Sequence, residues 1–299
     1  MHRSKRHYFR LAYAVLWAWH WHLLTTFTFA LFCISGTTAA EPAPRRVVSM
    51  NVCTDQLAML IAGKGQLHSV SALARDPNSS AMAKEAQGFA INHALAEEIF
   101  LMEPDLVLAG TFSSRATVNL LRELGVKVEE FAPSRSFEDI RDSILRVGEL
   151  LQRQERAGEL AGELDAGLAA LKAQKPSGRS IALYDANSYT TGGGTLANEI
   201  FKAAGLVNIA EKLGIVGSTR LPLELLVTEQ PDMIATSFRS YGGAPALAQE
   251  NFVHPAFKTL EAQKQGVGVP VPNMICGAPF TLEAAFVLQR AALQGQARP

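Results

Sequence analysis

Residues 103–109 read EPDLVLA, and residues 230–236 read QPDMIAT. Each stretch follows an apolar helical segment, and its Pro-Asp turn leads straight into a short apolar run. A run of this kind, bounded by turn residues, is typical of a strand buried on both faces. Pro-Asp is also ordinary chemistry for a turn between a helix and a strand, but its recurrence in both halves indicates two similar α/β lobes.

Outward from each phrase, short apolar strands alternate with helical segments, which predicts parallel sheets covered on both faces. The predicted strands are Arg46–Met50, His68–Leu73, Asp105–Ala109, Val126–Phe131, Ser180–Asp185, Asp232–Thr236 and Val267–Val271. The predicted shorter helices are Thr54–Ala62, Leu95–Met102, Ser113–Leu124, Thr195–Ala204, Leu223–Glu229 and Thr281–Leu293.

A long helical region lies between the two halves. Ser136 followed by Asp139 marks a helix start, and a second apolar stripe begins at Ala157 and ends before Pro176. A helix of ~20 residues would be ~30 Å long, enough to join two lobes rigidly. We therefore expect an N-terminal α/β lobe over 41–152, a linking helix over 153–175 and a C-terminal lobe over 176–299.

Residues 1–40 have the composition of a secretory signal peptide. Four basic residues and no acidic residue precede an apolar run from Leu11 to Ile34, and small residues follow it. Thr38-Ala39-Ala40 fits the small-x-small rule, so we expect cleavage after Ala40 and a periplasmic product. An uncleaved membrane anchor is the alternative, since the apolar run is long enough to span a bilayer.

The charge balance argues against nucleic-acid binding. The chain of 299 residues has 28 basic and 28 acidic residues, and removing the four basic residues of the leader leaves 24 against 28. Phosphate binding requires a basic excess, so we expect no nucleic acid as a partner. All three tryptophans, at positions 17, 19 and 21, lie in the leader.

Two cysteines, Cys53 and Cys276, remain after the leader. They could form a disulfide, a pair of soft metal ligands, a nucleophile assisted by His93, or two buried small side chains. There is no Cys-x-x-Cys motif, and the histidines do not have the spacing of a direct metal site. These residues leave the choice among the alternatives open.

Several polar and aromatic residues follow predicted strands. Loops beyond the carboxyl ends of parallel strands form the ligand crevice in such sheets. Arginine and tyrosine in those loops suit a large anionic or aromatic ligand. The candidate ligand-binding residues are Asn51, Cys53, Thr54, Arg75, His93, Thr111, Phe112, Tyr184, Tyr189, Ser237, Phe238, Arg239, Tyr241 and Cys276.

Taken in order, several motifs resemble those of the solute-binding proteins of ABC importers for iron–siderophores and vitamin B12. The motifs are the opening strand with Thr54-Asp55-Gln56-Leu57 after it, the two Pro-Asp strands, 120–126 (LLRELGV), 254–257 (HPAF) and Cys276-Gly277-x-Pro279-Phe280-Thr281. The resemblance implies two Rossmann-like α/β lobes joined by a single long rigid helix, with the ligand cleft between them. It also implies that one glutamate on each lobe docks on the permease; Glu97 and Glu224 match, each eight residues before its Pro-Asp aspartate.

The resemblance implies a monomeric periplasmic carrier that is not an enzyme. It would capture a ferric siderophore and deliver it to a permease dimer that has a cytoplasmic ATPase. Arg75 and Arg239 suit a siderophore's oxygens, and iron would be held only within the ligand, with no cofactor. A corrinoid is the alternative, although B12 binders of this type line the cleft with tryptophans that residues 41–299 lack. Alternatives of other classes are an enzyme using Cys53 and His93, and a membrane-tethered sensor.

Overall fold

The computed structural model describes residues 42–236, 246–269 and 272–296. They belong to the second of two compact units of the chain, Ala43–Pro299, apart from Pro42. The predicted leader and its cleavage site lie outside the described residues, as do Ser237, Phe238, Arg239 and Tyr241. No helix within the described ranges is long and apolar enough to span a bilayer.

The N-terminal lobe is built on a five-stranded parallel sheet with the order β3-β2-β1-β4-β5. Its elements are β1 (Val47–Ser49), α1 (Val52–Ile61), β2 (Leu67–Ser71), β3 (Ala90–Asn92), α2 (Ala96–Leu101), β4 (Leu106–Gly110), α3 (Arg115–Glu123), β5 (Val128–Phe131) and α4 (Phe137–Leu150). Two 3₁₀ turns, Ala72–Arg75 and Glu85–Gly88, lie between β2 and β3.

The C-terminal lobe has a four-stranded parallel sheet, β11-β10-β6-β8, and an antiparallel hairpin, β7–β9. The linking helix α5 (Gln154–Lys172) precedes it. The elements of the C-terminal lobe are β6 (Ser180–Leu183), β7 (Tyr189–Thr191), α6 (Leu196–Ala203), β8 (Val207–Asn208), α7 (Ile209–Lys212), β9 (Ser218–Arg220), α8 (Leu223–Glu229), β10 (Met233–Thr236), α9 (Glu250–Val253), α10 (Pro255–Gln263), β11 (Gln265–Gly268), α11 (Pro272–Ile275) and α12 (Thr281–Gln296).

Alternate residues along the central strands pack into different cores. In β1, Val47 joins a large core that extends across both lobes, whereas Val48 joins a separate cluster under α2 and α3. In β10, Met233 joins the same large core and Ile234 joins a cluster under α8 and α10. Successive strand residues point to opposite faces of a sheet. The inner faces of both sheets therefore share one core, and each outer face has its own.

Helix α5 contributes to the shared core along its length. Its 19 residues span about 28 Å, and Leu160, Leu164 and Leu171 are buried on its inner side. The preceding α4 begins with the predicted capping box, in which the Ser136 side chain accepts from the Asp139 amide and the Asp139 carboxylate accepts from the Ser136 amide. A linking helix is present, while the lobe boundaries at 152/153 and 175/176 stay predictions.

The two Pro-Asp phrases have equivalent structures. The residue before each proline, Glu103 or Gln230, has a positive φ that ends the preceding helix. Asp105 then accepts hydrogen bonds from the amides of Arg45 and Arg46 at 2.6 and 3.0 Å, at the start of β1. Asp232 accepts from the amide and hydroxyl of Ser180, both at 2.8 Å, at the start of β6. Each aspartate thus fixes the neighbouring strand, which confirms two similar α/β lobes.

Some short elements differ from the sequence prediction. Strand β3, strand β8 and the β7–β9 hairpin have only two or three residues per strand, too short for a periodic pattern. The last strand begins at Gln265, two residues before the predicted start, and its backbone pairs with β10. The Gln265 side chain accepts from Arg179 Nη1 at 2.6 Å and donates to the Ala291 carbonyl at 3.0 Å, contacts that an apolar strand pattern does not reveal.

Candidate ligand cleft

The carboxyl end of β1 places Asn51 at the start of α1. The Asn51 side-chain oxygen accepts from the Cys53 amide at 3.0 Å and caps the helix. Gly110, at the end of the adjacent β4, lies against the Asn51 amide, and a Cβ there would lie 2.9 Å from Asn51 Nδ2. The absence of a side chain at position 110 lets the two strand ends approach and brings Thr111 and Phe112 beside α1.

A cavity of about 70 Å³ lies at this edge of the sheet. Five residues predicted to bind ligand line it together: Asn51, Cys53, Thr54, Thr111 and Phe112. Three further residues line the cavity and were not predicted from the sequence: Ser134, which follows β5, and Ile275 and Gly277 from the C-terminal lobe. None of the described residues that line the cavity carries a charge.

Two large apolar side chains of this cavity are open to solvent. The Phe112 residue is 85% exposed, and Ile275 is 44% exposed. Phe112 belongs to the N-terminal lobe and Ile275 to the C-terminal lobe, so both lobes contribute an apolar surface to one site. When a ligand covers such an exposed apolar side chain, apolar surface is removed from water, and this favours binding.

Cys53 and Cys276 form a disulfide across 223 residues of sequence. The bond connects the first turn of α1 to the loop before α12. It decides among the alternatives that the sequence left open, because bonded cysteines provide neither a thiolate nucleophile nor a pair of soft metal ligands. Cys276 is 1% exposed and is not among the described residues that line the cavity, and its direct contact with a ligand stays a prediction.

Arg75 holds a loop of its own lobe. Its Nε donates to the Ala86 carbonyl at 3.4 Å, and its Nη2 donates to the carbonyls of Gln87 and Phe89 at 3.4 and 2.7 Å. Arg75 does not line the described cavity. Three of its hydrogen bonds go to the backbone, so a contact with an anionic ligand stays a prediction.

The two candidate tyrosines have different environments. Tyr184 is 0% exposed, its ring stacks on Phe257 at 5.5 Å between centroids, and its hydroxyl donates to Ser188 Oγ at 2.8 Å. The Tyr184 ring is part of the C-terminal core, and its contact with a ligand stays a prediction. Tyr189 is 45% exposed on the β7–β9 hairpin, and its ligand role stays a prediction.

A buried carboxyl group follows the cavity-lining Thr54 in α1. Asp55, the second residue of the Thr-Asp-Gln-Leu motif, is fully buried in α1. Its Oδ2 accepts from the amide and hydroxyl of Ser71 at 3.1 and 2.5 Å, and its Oδ1 has no partner among the described residues. Burial raises the pKa of Asp55 to about 7, although hydrogen bonds from Ser49 and Ser71 oppose that shift. The carboxyl group joins the start of α1 to the end of β2.

Comparison with known proteins gives a family match over most of the chain. Residues 47–267 match the family described as periplasmic binding protein. The chain belongs to this family.

Two relatives and one solved structure illustrate the similarity. The chain is 26% identical to a cobalamin-binding protein of Halobacterium salinarum over 201 residues, which cover 66% of this chain and 54% of that protein. It is 26% identical to an uncharacterized ABC transporter substrate-binding lipoprotein, YvrC, of Bacillus subtilis over 152 residues, 47% of this chain and 48% of the relative. The chain therefore spans about half the length of these curated relatives.

The fold is similar to that of the periplasmic heme-binding protein RhuT from Roseiflexus sp. RS-1 in its apo form. The TM-score is 0.67 at 22% identity, and the alignment covers 84% of this chain and 98% of RhuT. The family is one of periplasmic binding proteins, which agrees with the prediction that the chain is not an enzyme.

The enzyme alternative also fails on geometry. His93 Nδ1 lies 3.1 Å from Glu98 Oε1, and the His93 amide donates to Glu98 Oε2 at 2.7 Å. The other half of the proposed pair, Cys53, is bonded to Cys276. Neither member therefore has the partner that nucleophilic catalysis requires. The His93 side chain is 66% exposed, and its ligand role stays a prediction.

Glu97 and Glu224 have equivalent positions in the two lobes. Each is exposed in the first turn of its helix, α2 or α8. Both helices cover the outer face of a sheet and turn directly into a central strand, β4 or β10. A helix that runs back along its strand begins near the carboxyl end of that strand, so both first turns lie toward the cleft edge of their sheets. The docking role of the two glutamates stays a prediction.

Proposed function

We propose that the protein captures a corrinoid in the periplasm and delivers it to the permease of an ABC importer. The observation that carries this proposal is the uncharged cavity at the carboxyl edge of the N-terminal sheet, with Phe112 and Ile275 exposed beside neutral polar side chains. The rim of a corrin ring carries amide groups, and its faces are apolar. Asn51, Thr111 and Ser134 suit the amides, and the two apolar side chains suit a face.

A ferric siderophore, the ligand predicted from the sequence, is the alternative. Its anionic oxygens call for cationic side chains. Of the two arginines assigned to it, Arg75 donates three hydrogen bonds to backbone carbonyls. The contact predicted for Arg239 stays a prediction. The cobalamin-binding protein of Halobacterium salinarum further supports a corrinoid.

The cavity accepts only part of such a ligand. Sites for organic ligands have volumes of about 300–1,000 Å³, whereas this cavity has about 70 Å³. One edge of the corrinoid would therefore enter the cavity between the exposed side chains, and the rest would lie in the cleft beyond it.

The proposal includes export and delivery. Cleavage after Ala40 would release a periplasmic monomer, and Glu97 and Glu224 would dock it on the two subunits of a permease dimer coupled to a cytoplasmic ATPase. No cofactor is required, because the metal enters and leaves within the ligand. Similarity to an ABC transporter substrate-binding lipoprotein supports this partner.

Ligand titration tests the proposal. Purified mature protein is titrated calorimetrically with cyanocobalamin, a ferric hydroxamate, a ferric catecholate and hemin. We expect the tightest binding with cyanocobalamin, and an affinity about tenfold lower in Phe112→Ala, because the exposed ring loses its stacking and burial. Phe100→Ala, which removes an exposed ring on α2, is the control and should bind normally. Tight binding of a ferric siderophore without binding of cyanocobalamin would favour the alternative.

A further inference from the structure

The C-terminal lobe contributes one short segment to the cavity wall. This segment contains no long helix or strand. Ile275 is the last residue of the four-residue helix α11, and Gly277 follows in the loop before α12. Both line the cavity together with Phe112. The position of the exposed Ile275 side chain therefore depends on contacts that hold this segment in place.

Three contacts fix the segment on either side of Cys276. The disulfide joins Cys276 to Cys53 in α1. Gly277 packs so closely on Ser134 and Ile140 that a Cβ at this position would overlap both side chains. Thr281 Oγ1 donates to the Cys276 carbonyl at 3.2 Å, which closes the loop onto the start of α12. Two of the three contacts attach this C-terminal segment to the N-terminal lobe.

We propose that the Cys53–Cys276 disulfide and the close contact at Gly277 position Ile275 to contact the ligand. Ile275 from the C-terminal lobe and Phe112 from the N-terminal lobe then pack against one apolar face of the ligand. This inference rests on the proposed function. It makes Ile275 a determinant of affinity and gives the disulfide a positioning role in addition to the place of Cys53 in the cavity lining. Positioning before binding lowers the ordering cost of association, and its loss is seen chiefly as faster dissociation.

A double-mutant cycle tests the positioning. Dissociation rates of cyanocobalamin are measured for the wild type, Ile275→Ala, Cys53→Ser/Cys276→Ser and the triple variant, alongside melting temperatures. We expect Ile275→Ala and the double serine variant each to dissociate about fivefold to tenfold faster. In the serine background we expect Ile275→Ala to add little, because the side chain is no longer held at the ligand. Leu124→Ala, with 46% exposure against 44% for Ile275, should leave dissociation unchanged.

A second variant keeps the disulfide and so covers the case in which the serine protein does not fold. Gly277→Ala displaces the segment through its overlap with Ser134, and we expect it to speed dissociation several-fold. Gly88→Ala, where a Cβ would meet nothing within 4 Å, is the matched control.

The outcomes separate this inference from the proposed function. Additive effects in the cycle, or a lower melting temperature with unchanged dissociation in the serine and Gly277→Ala variants, would overturn the positioning role alone. If the wild type binds a ferric siderophore or hemin instead, the same cycle with that ligand tests the positioning. A wild type that binds none of the four ligands would overturn both.

Discussion

Asp55 should make the stability of the protein fall as the pH rises toward and above 7. The ordinary pKa of an aspartate is 3.8, and burial raises that of Asp55 to about 7 in the folded state. Between these values the folded protein holds a proton that the unfolded chain has released. Protonated Asp55 therefore contributes its full stabilisation of the folded state below about pH 4, and this stabilisation is lost as the pH rises through 7. At 1.36 kcal/mol for each pH unit, the whole loss amounts to about 4 kcal/mol.

About 2 kcal/mol of that loss falls between pH 5.5 and 8.5, where most other carboxylates are already ionised in both states. Guanidinium unfolding at pH 5.5, 7 and 8.5 measures it. In Asp55→Asn the buried group stays neutral. We therefore expect the fall in the free energy of unfolding between pH 5.5 and 8.5 to be about 2 kcal/mol smaller in the variant, and the variant to be more stable than the wild type at pH 8.5. Contributions that are common to both proteins cancel in the difference. Asp142→Asn, an exposed site on α4, is the control. Equal pH slopes for wild type and Asp55→Asn would refute the reasoning.

Three further predictions concern packing, delivery and export. Gly148→Ala should destabilise the protein by about 1–3 kcal/mol in denaturant unfolding, because its Cβ would overlap that of Ala157 in α5. The control Gly158→Ala, with open space around it, should stabilise by about 0.5–1 kcal/mol; equal effects would contradict the packing argument. The double variant Glu97→Ala/Glu224→Ala should bind ligand normally yet fail to support uptake, each single variant showing a smaller, salt-dependent loss; normal uptake by the double variant would remove the docking role. Intact-mass measurement of exported protein should show a chain beginning at Glu41, and retention of residues 1–40 would contradict cleavage.

Features written into a few neighbouring residues were predictable. The capping box at Ser136 and Asp139 and the long helix after it were found because caps and helical periodicity are local. The repeated Pro-Asp phrase identified two similar lobes for the same reason. The strand ends then placed Asn51, Thr111 and Phe112 at one cavity, because the carboxyl ends of parallel strands meet at one edge.

Residue environments that depend on distant parts of the chain were not predictable. Tyr184 ends a strand, like a cleft residue, but its ring faces the side of the sheet where Phe252 and Phe257 pack. Arg75 follows a strand too, yet most of its hydrogen bonds go to a loop that residue types alone did not associate with it. The face of the sheet and the path of the loop are set by packing, which residue identity alone does not specify.

The sequence by itself determined the alternation of strands and helices, the two lobes and the edge at which a ligand site forms, because hydrophobic period, caps and turn residues act over a few positions. Only the tertiary structure decided that Cys53 bonds to Cys276, that Asp55 is buried and that Ile275 reaches the cavity. The disulfide spans 223 residues, and the environments of Asp55 and Ile275 come from elements far apart in the chain. Bond partners and burial are properties of how such elements meet in space, so no local pattern contains them.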